Sequence, residues 1–188
     1  MLERGFFSRN PEVVAEELIG KVLVRSLGGR VLSGKIVETE AYYGEKDPAS
    51  RAKRKGSIRE RMLGDPGFSL IYGVHGNWLL NVVTGPRGFP SAVLIRAIEP
   101  IDGIEEMLKR RKSGIRELTN GPGKLTEAMG ITKELDGIDL TSGNSPLRIE
   151  DRGLPPGKIL RSHRIGVKED MDRPLRFFSA ESEFVSRR

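Results

Sequence analysis

The sequence has no cysteine and only two histidines, His75 and His163, which stand in separate segments. The first absence removes disulfides, thiolate metal ligands and cysteine nucleophiles together, so the fold must rest on packing; it also fits a reducing compartment. The second leaves no local two-histidine zinc motif. There is no run of about 18 apolar residues, the length a membrane-spanning helix needs, and Met1-Leu2-Glu3-Arg4 lacks the charged-then-apolar layout of a signal peptide. The expectation is a soluble intracellular protein with no membrane partner, cytoplasmic and nucleoid-associated or nuclear. A Gly-x-Ser-x-Gly elbow is also missing, which argues against an acyl-transfer hydrolase. Asn120-Gly121-Pro122-Gly123-Lys124-Leu125-Thr126 invites a phosphate-loop reading and fails it: Leu118 stands where the first glycine belongs, and Leu125 where Ser or Thr must follow the lysine. A nucleotide triphosphatase is rejected. The turn can still offer backbone N–H groups to one phosphate with Lys124 alongside, or simply open a helix.

What is present is charge. Among 188 residues, 32 Lys and Arg stand against 26 Asp and Glu, a net +6 with pI near 9.7, which favours an acidic partner such as nucleic acid. The length suits one domain over residues 1–188. Asn10 as N-cap, Pro11 at the first helical position and Gly20 beyond the end predict a helix over 11–18. Strands are predicted at 21–25 and 31–42 around a Gly28-Gly29 turn, then at 68–72, 78–83 and 92–98, with closing strands at 165–167 and 175–178. Helices are predicted at 101–111 and from Pro122 to Met129. Residues 44–67 read as a long irregular insertion with one helical turn near 58–62. The fold class is α+β, a single mixed domain with a mainly antiparallel sheet flanked by helices.

Val37-Glu38-Thr39-Glu40-Ala41-Tyr42 carries the chemistry of greatest interest. Strand alternation puts Ile36, Glu38, Glu40 and Tyr42 on one face, so two carboxylates and an aromatic ring are neighbours. The plain alternative is a half-exposed strand with solvated glutamates. Arg96 lies inside Ala92-Val93-Leu94-Ile95-Arg96-Ala97-Ile98, and a buried guanidinium requires an anion; Glu40 and Glu38 are the candidates. Beside Glu40 it would hold a general base ionised. Asn81, embedded in Trp78-Leu79-Leu80-Asn81-Val82-Val83, either reads a base edge or bonds a neighbouring backbone. The stretch from Arg51 to Arg61 holds six basic residues and one acid, with Lys53, Arg54, Lys55 and Arg59 placed to contact phosphates or to form a solvated face. The glycine-rich turn Tyr72-Gly73-Val74-His75-Gly76 could present a ring that wedges into a base stack.

These segments, with Gly121-Pro122-Gly123-Lys124-Leu125, Arg164-Ile165-Gly166-Val167 and Pro174-Leu175-Arg176-Phe177, stand in an order that resembles the alkyladenine, or mammalian-type 3-methyladenine, DNA glycosylases from about Asn10 to Phe178. The resemblance implies a curved antiparallel sheet that binds duplex DNA through the minor groove, flips a damaged purine and needs neither metal nor cofactor. It assigns Glu40 as general base, Arg96 as the group that positions it, Tyr42 as the stacking platform and Asn81 as the discriminator at the base edge. Glu38 receives a supporting role. The implied enzyme is a monofunctional purine-specific hydrolase, without lyase activity, expected as a monomer. Two positions depart from the pattern. Arg51 replaces a histidine that faces the base in many relatives, and in the pocket its donor-only head would favour hypoxanthine over a cationic alkylpurine. Either Tyr72 or His75 is the intercalating wedge, with His75 favoured at the tip. A non-catalytic nucleic-acid-binding protein and a sugar hydrolase using Glu38 and Glu40 are the alternatives.

Overall fold

Asn10 begins the first long helix as its chemistry requires, its Oδ1 accepting from the N–H of Glu12 at 2.9 Å while Pro11 takes the first helical position. In the computed structural model, which describes residues 1–187, the elements follow in chain order. The short α1 (Arg4–Phe7) and α2 (Pro11–Glu17) lead into β1 (Val22–Leu27) and the long β2 (Arg30–Tyr42). A 3-10 turn at Arg51–Lys53 and α3 (Ser57–Met62) occupy the insertion. Next come β3 (Ser69–Val74), β4 (Asn77–Val83), β5 (Ala92–Asp102), α4 (Ile104–Arg110) and α5 (Pro122–Ala128). The chain closes with β6 (Leu147–Glu150), β7 (Ile159–Ser162) and β8 (Arg176–Ser179).

All strand pairs are antiparallel, in the order β3-β4-β5-β2-β1-β6. One edge of β2 is shared: β1 pairs with its first half, and β8, carrying β7 outside it, pairs with Glu38, Thr39 and Glu40. This is the mixed α+β fold with a curled antiparallel sheet. The main core lies on one face, where Val14 and Ala15 of α2 and Leu125 and Ala128 of α5 meet Ile36, Ala41, Leu80, Val82, Val93, Ile95 and Ile98. Two smaller apolar clusters lie on the other face, one around Leu70, Val83 and Ala92, the second around Val37, Ala97 and Phe178. Among the described residues no helix is long and apolar enough to cross a membrane.

Several expectations are corrected. Residues 165–167 are not a strand; they form a bend in which Gly166 has φ +75°, and the strand in this region is β7, paired with β8. Ile101 belongs to β5, and α4 starts only after Gly103, whose φ of +74° breaks the strand. The largest correction concerns faces. In the β2–β5 ladder Ile36 pairs with Ile98, Glu38 with Ala97 and Thr39 with Ile95, so Val37 and Arg96 are bulged residues without a partner. The bulges put Val37 and Glu38 on one face and return Ile36 to the main core, away from the glutamates with which simple alternation grouped it.

Candidate active site

Cross-strand pairing builds the site as a row. Leu70 of β3 faces Asn81 of β4, Asn81 faces Leu94 of β5, Leu94 faces Glu40 of β2, and Glu40 faces Arg176 of β8. Directly opposed residues share a face, so Asn81, Glu40 and Arg176 look out of the same side of the sheet. Val83, Ala92 and Tyr42 form the adjoining row. The charged cluster is thus laid between the two small apolar clusters.

Glu38 and Glu40 are both fully buried. Arg96 serves the two of them: its Nε donates to Glu38 Oε1 at 2.9 Å and its Nη1 to Glu40 Oε2 at 3.3 Å. Glu38 also accepts from Arg176 Nε at 2.8 Å, from the Ser186 N–H at 2.6 Å and from the Ser186 hydroxyl at 2.8 Å. Burial pushes its carboxyl up, but Arg96, the Ser186 N–H and Arg176 outweigh that and hold it below the ordinary carboxylate value. Glu40 has fewer partners, the Ile165 N–H at 2.7 Å and the Tyr42 hydroxyl at 2.8 Å besides Arg96. Burial dominates there, opposed by Arg96, the Ile165 N–H and Tyr42 and assisted by the charge on Glu38, and the Glu40 carboxyl stands above its ordinary value. Arg96 favours the ionised form of Glu40, the effect expected of it, but its closer bond goes to Glu38, and burial leaves the Glu40 carboxyl above its ordinary value.

Tyr42 is half-buried, with the Arg164 guanidinium 4.5 Å from its ring centroid. Burial and the neighbouring Glu40 push its phenol well up, so it stays a neutral donor. Arg164 is itself fixed by Asp47, through two bonds of 2.7 Å, by Asp170 and by the Ala41 carbonyl. The Tyr72 phenol stands near the Asn81 side chain, and Arg51 lies 5.9 Å from the Tyr72 ring centroid. Asn81 also donates to the Leu70 carbonyl at 3.2 Å, the local backbone partner that was its plainer explanation. Arg51, Tyr72, Asn81, Tyr42 and Glu40 therefore form one connected face.

His75 is exposed at the two-residue β3–β4 turn with φ +49°, next to Gly76 at φ +80°. Lys53 at the end of the 3-10 turn and Arg54 and Lys55 beyond it are exposed, whereas Arg59 is ion-paired with Glu45. Lys124 turns onto Asn120 Oδ1 at 2.8 Å. The glycine-rich turn serves docking: a Cβ on Gly123 would lie 2.8 Å from Asn77 Cβ, and Thr126 Oγ1 donates to the Trp78 carbonyl at 2.8 Å. Among the described residues no group of three or more His, Asp or Glu is arranged to hold a metal.

Arg176, Ser186, Arg164 and the Ile165 N–H escaped the residue-by-residue reading. Arg176 had a signal, since Leu175-Arg176-Phe177-Phe178 repeats the charge-in-apolar-strand pattern that marked Arg96. Nothing in sequence pattern flags a serine or a backbone amide.

Comparison with known proteins identifies the family of the chain. The family described as Methylpurine-DNA glycosylase matches residues 5–183. Proteins carrying the name "Putative 3-methyladenine DNA glycosylase" are similar along nearly their whole lengths. That of Koribacter versatilis is 42% identical over 191 residues, covering 98% of this chain and 92% of its own. That of Methanocella arvoryzae is 44% identical over 195 residues, covering 100% and 96%. The Aeropyrum pernix protein is 38% identical over 190 residues, covering 100% and 93%.

Proposed function

The chain belongs to the methylpurine-DNA glycosylase family of DNA-repair enzymes, hydrolases of N-glycosidic bonds, and from that premise we propose that it acts on a single damaged purine flipped out of duplex DNA, with Glu40 activating the attacking water. The observation that carries this reading is the environment of Glu40. It is buried, oriented by the Ile165 N–H, the Tyr42 hydroxyl and Arg96, and raised in proton affinity, as a general base working near neutral pH should be. Glu40 has no exposed surface, so the water must enter beside it with the substrate.

Water oxygen bonds to C1′ of the deoxyribose, its proton passes to Glu40, and the C1′–N bond breaks with its electron pair leaving on the base. The anionic carboxylate also stabilises the oxocarbenium-like sugar. No lysine nucleophile takes part, so the product is an intact strand with an abasic site. Tyr42 and Tyr72 supply stacking surfaces, Asn81 the polar contact at the base edge and Arg51 the outer wall. His75 is the wedge that fills the vacated stack, and Lys53, Arg54 and Lys55 hold phosphates, with Arg59 joining on release from Glu45 and Lys124 on release from Asn120. The substrate class is an alkylated purine, as the relatives' names indicate, or hypoxanthine, and the working form is a monomer needing no cofactor.

The test incubates duplex DNA containing hypoxanthine or 3-methyladenine with wild type, Glu40→Gln and Arg51→His, scoring free base and duplex binding separately. Wild type should release base; Glu40→Gln should lose about 10²-fold or more in release while still binding. Arg51→His should move the preference towards the methylated purine. If wild type and Glu40→Gln bind DNA equally and neither releases base from several lesions, the protein is a nucleic-acid binder and the reading fails.

A further inference from the structure

The segment after β8 returns over the charged cluster. Ser182 Oγ reaches Glu99 Oε2 at 3.2 Å, Glu183 pairs with Arg116 at 3.1 Å, and Phe184 and Val185 pack on Val37, Ala97 and Phe178. Ser186 then meets Glu38 through two donors, its N–H to Oε2 at 2.6 Å and its hydroxyl to Oε1 at 2.8 Å. The same hydroxyl oxygen accepts from Arg96 Nη2 at 3.4 Å, and the Arg187 carbonyl accepts from Arg176 Nη2.

These contacts decide how one guanidinium is divided. Arg96 stands between two buried carboxylates, and an anion short of donors draws it closer. We propose that Ser186 is a positioning residue of this site: by supplying Glu38 with two donors and bracing Nη2 of Arg96, it leaves Nη1 directed at Glu40. The inference rests on Glu40 being the base. Without Ser186, the partners left to Glu38 among the described residues are Arg96 and Arg176, Arg96 moves towards it, and Glu40 loses its bonded cation. The other groups that face Glu40 are Glu38 and Tyr42 on β2, Tyr72 on β3 and the Ile165 N–H in the loop after β7, with Arg164 over the Tyr42 ring, and none of these residues is replaced in the test.

The experiment follows the Glu40 carboxyl by ¹³C NMR titration, assigned with Glu40→Gln, alongside the pH profile of base release from methylated duplex DNA under enzyme excess. Ser186→Pro removes the N–H and the hydroxyl together; it should raise the Glu40 midpoint by about one pH unit, with release slowed about tenfold on the acid side. Ser186→Ala removes the hydroxyl alone and should shift the midpoint less, in the same direction. Ser186→Thr keeps both donors and should restore the wild-type midpoint. Val185→Ala loosens the tail's packing with both donors in place; it should lower the melting temperature and leave the midpoint where it is. An unmoved midpoint in Ser186→Ala, or in a folded Ser186→Pro, overturns the inference, as does an equal shift in Val185→Ala. If Glu40→Gln still releases base, the assignment of the base fails, and the titration still decides whether Ser186 tunes Glu40.

Discussion

A carboxylate without exposed surface is stable only as far as its neighbours replace the water it gave up, and Glu38 and Glu40 are served to different degrees. Glu38 is held below its ordinary value, so its ionised form adds stability above that value, and the contribution is lost as pH falls through the folded one. Glu38→Gln should therefore cost about 3 kcal/mol at neutral pH, because Arg96 and Arg176 stay buried with less compensation, and the difference should shrink in acid. Glu40 has the opposite sign. Its folded value is raised, so its charge burdens the native state at neutral pH and the burden disappears once pH falls below the ordinary carboxylate value. Glu40→Gln should be at least as stable as wild type at neutral pH, with any gain vanishing in acid. Urea unfolding of the three proteins along a pH series checks both signs.

At the scale of elements, the site depends on two irregularities, the bulges at Val37 and Arg96, and on one close approach, α5 against the β3–β4 hairpin. Gly123 permits that approach. Gly123→Ala should destabilise the protein by about 1 kcal/mol in spite of the better helix former, because the new Cβ meets Asn77; Asn77→Gly in the same chain should recover the loss, and Gly114→Ala, in open space, should cost little. Equal unfolding midpoints for Gly123→Ala and wild type would contradict this packing role. Much of this level was legible in the chain. Asn10-Pro11 announced α2, Gly28-Gly29 the β1–β2 hairpin, and a lone arginine among seven otherwise apolar residues announced the buried ion pair. The bulges were not legible, because register belongs to two strands at once and alternation along one of them cannot reveal it. Nor were β6 and β7, short segments whose strand character comes from their partners β1 and β8. The Asp47–Arg164 pair spans 117 positions and leaves no local pattern.

Across the whole molecule, the excess of six positive charges includes three exposed residues in succession, Lys53, Arg54 and Lys55, whereas Arg59 is held by Glu45. Replacing those three by Gln should reduce the slope of log affinity for duplex DNA against log salt by about 2 to 3, near 0.9 for each phosphate that is no longer neutralised. Stability should change by less than about 0.5 kcal/mol. A titration of binding against salt, run beside thermal melting, separates the two effects; an unchanged slope would remove these residues from the DNA interface. The way the carboxylates are satisfied also bears on how the protein is made. Of the seven hydrogen bonds that Glu38 and Glu40 accept among the described residues, four come from Ile165, Arg176 and Ser186, across 125, 138 and 148 positions. A nascent chain carries both glutamates long before these partners leave the ribosome, so the charged cluster stays unassembled until residues 165 to 186 have emerged.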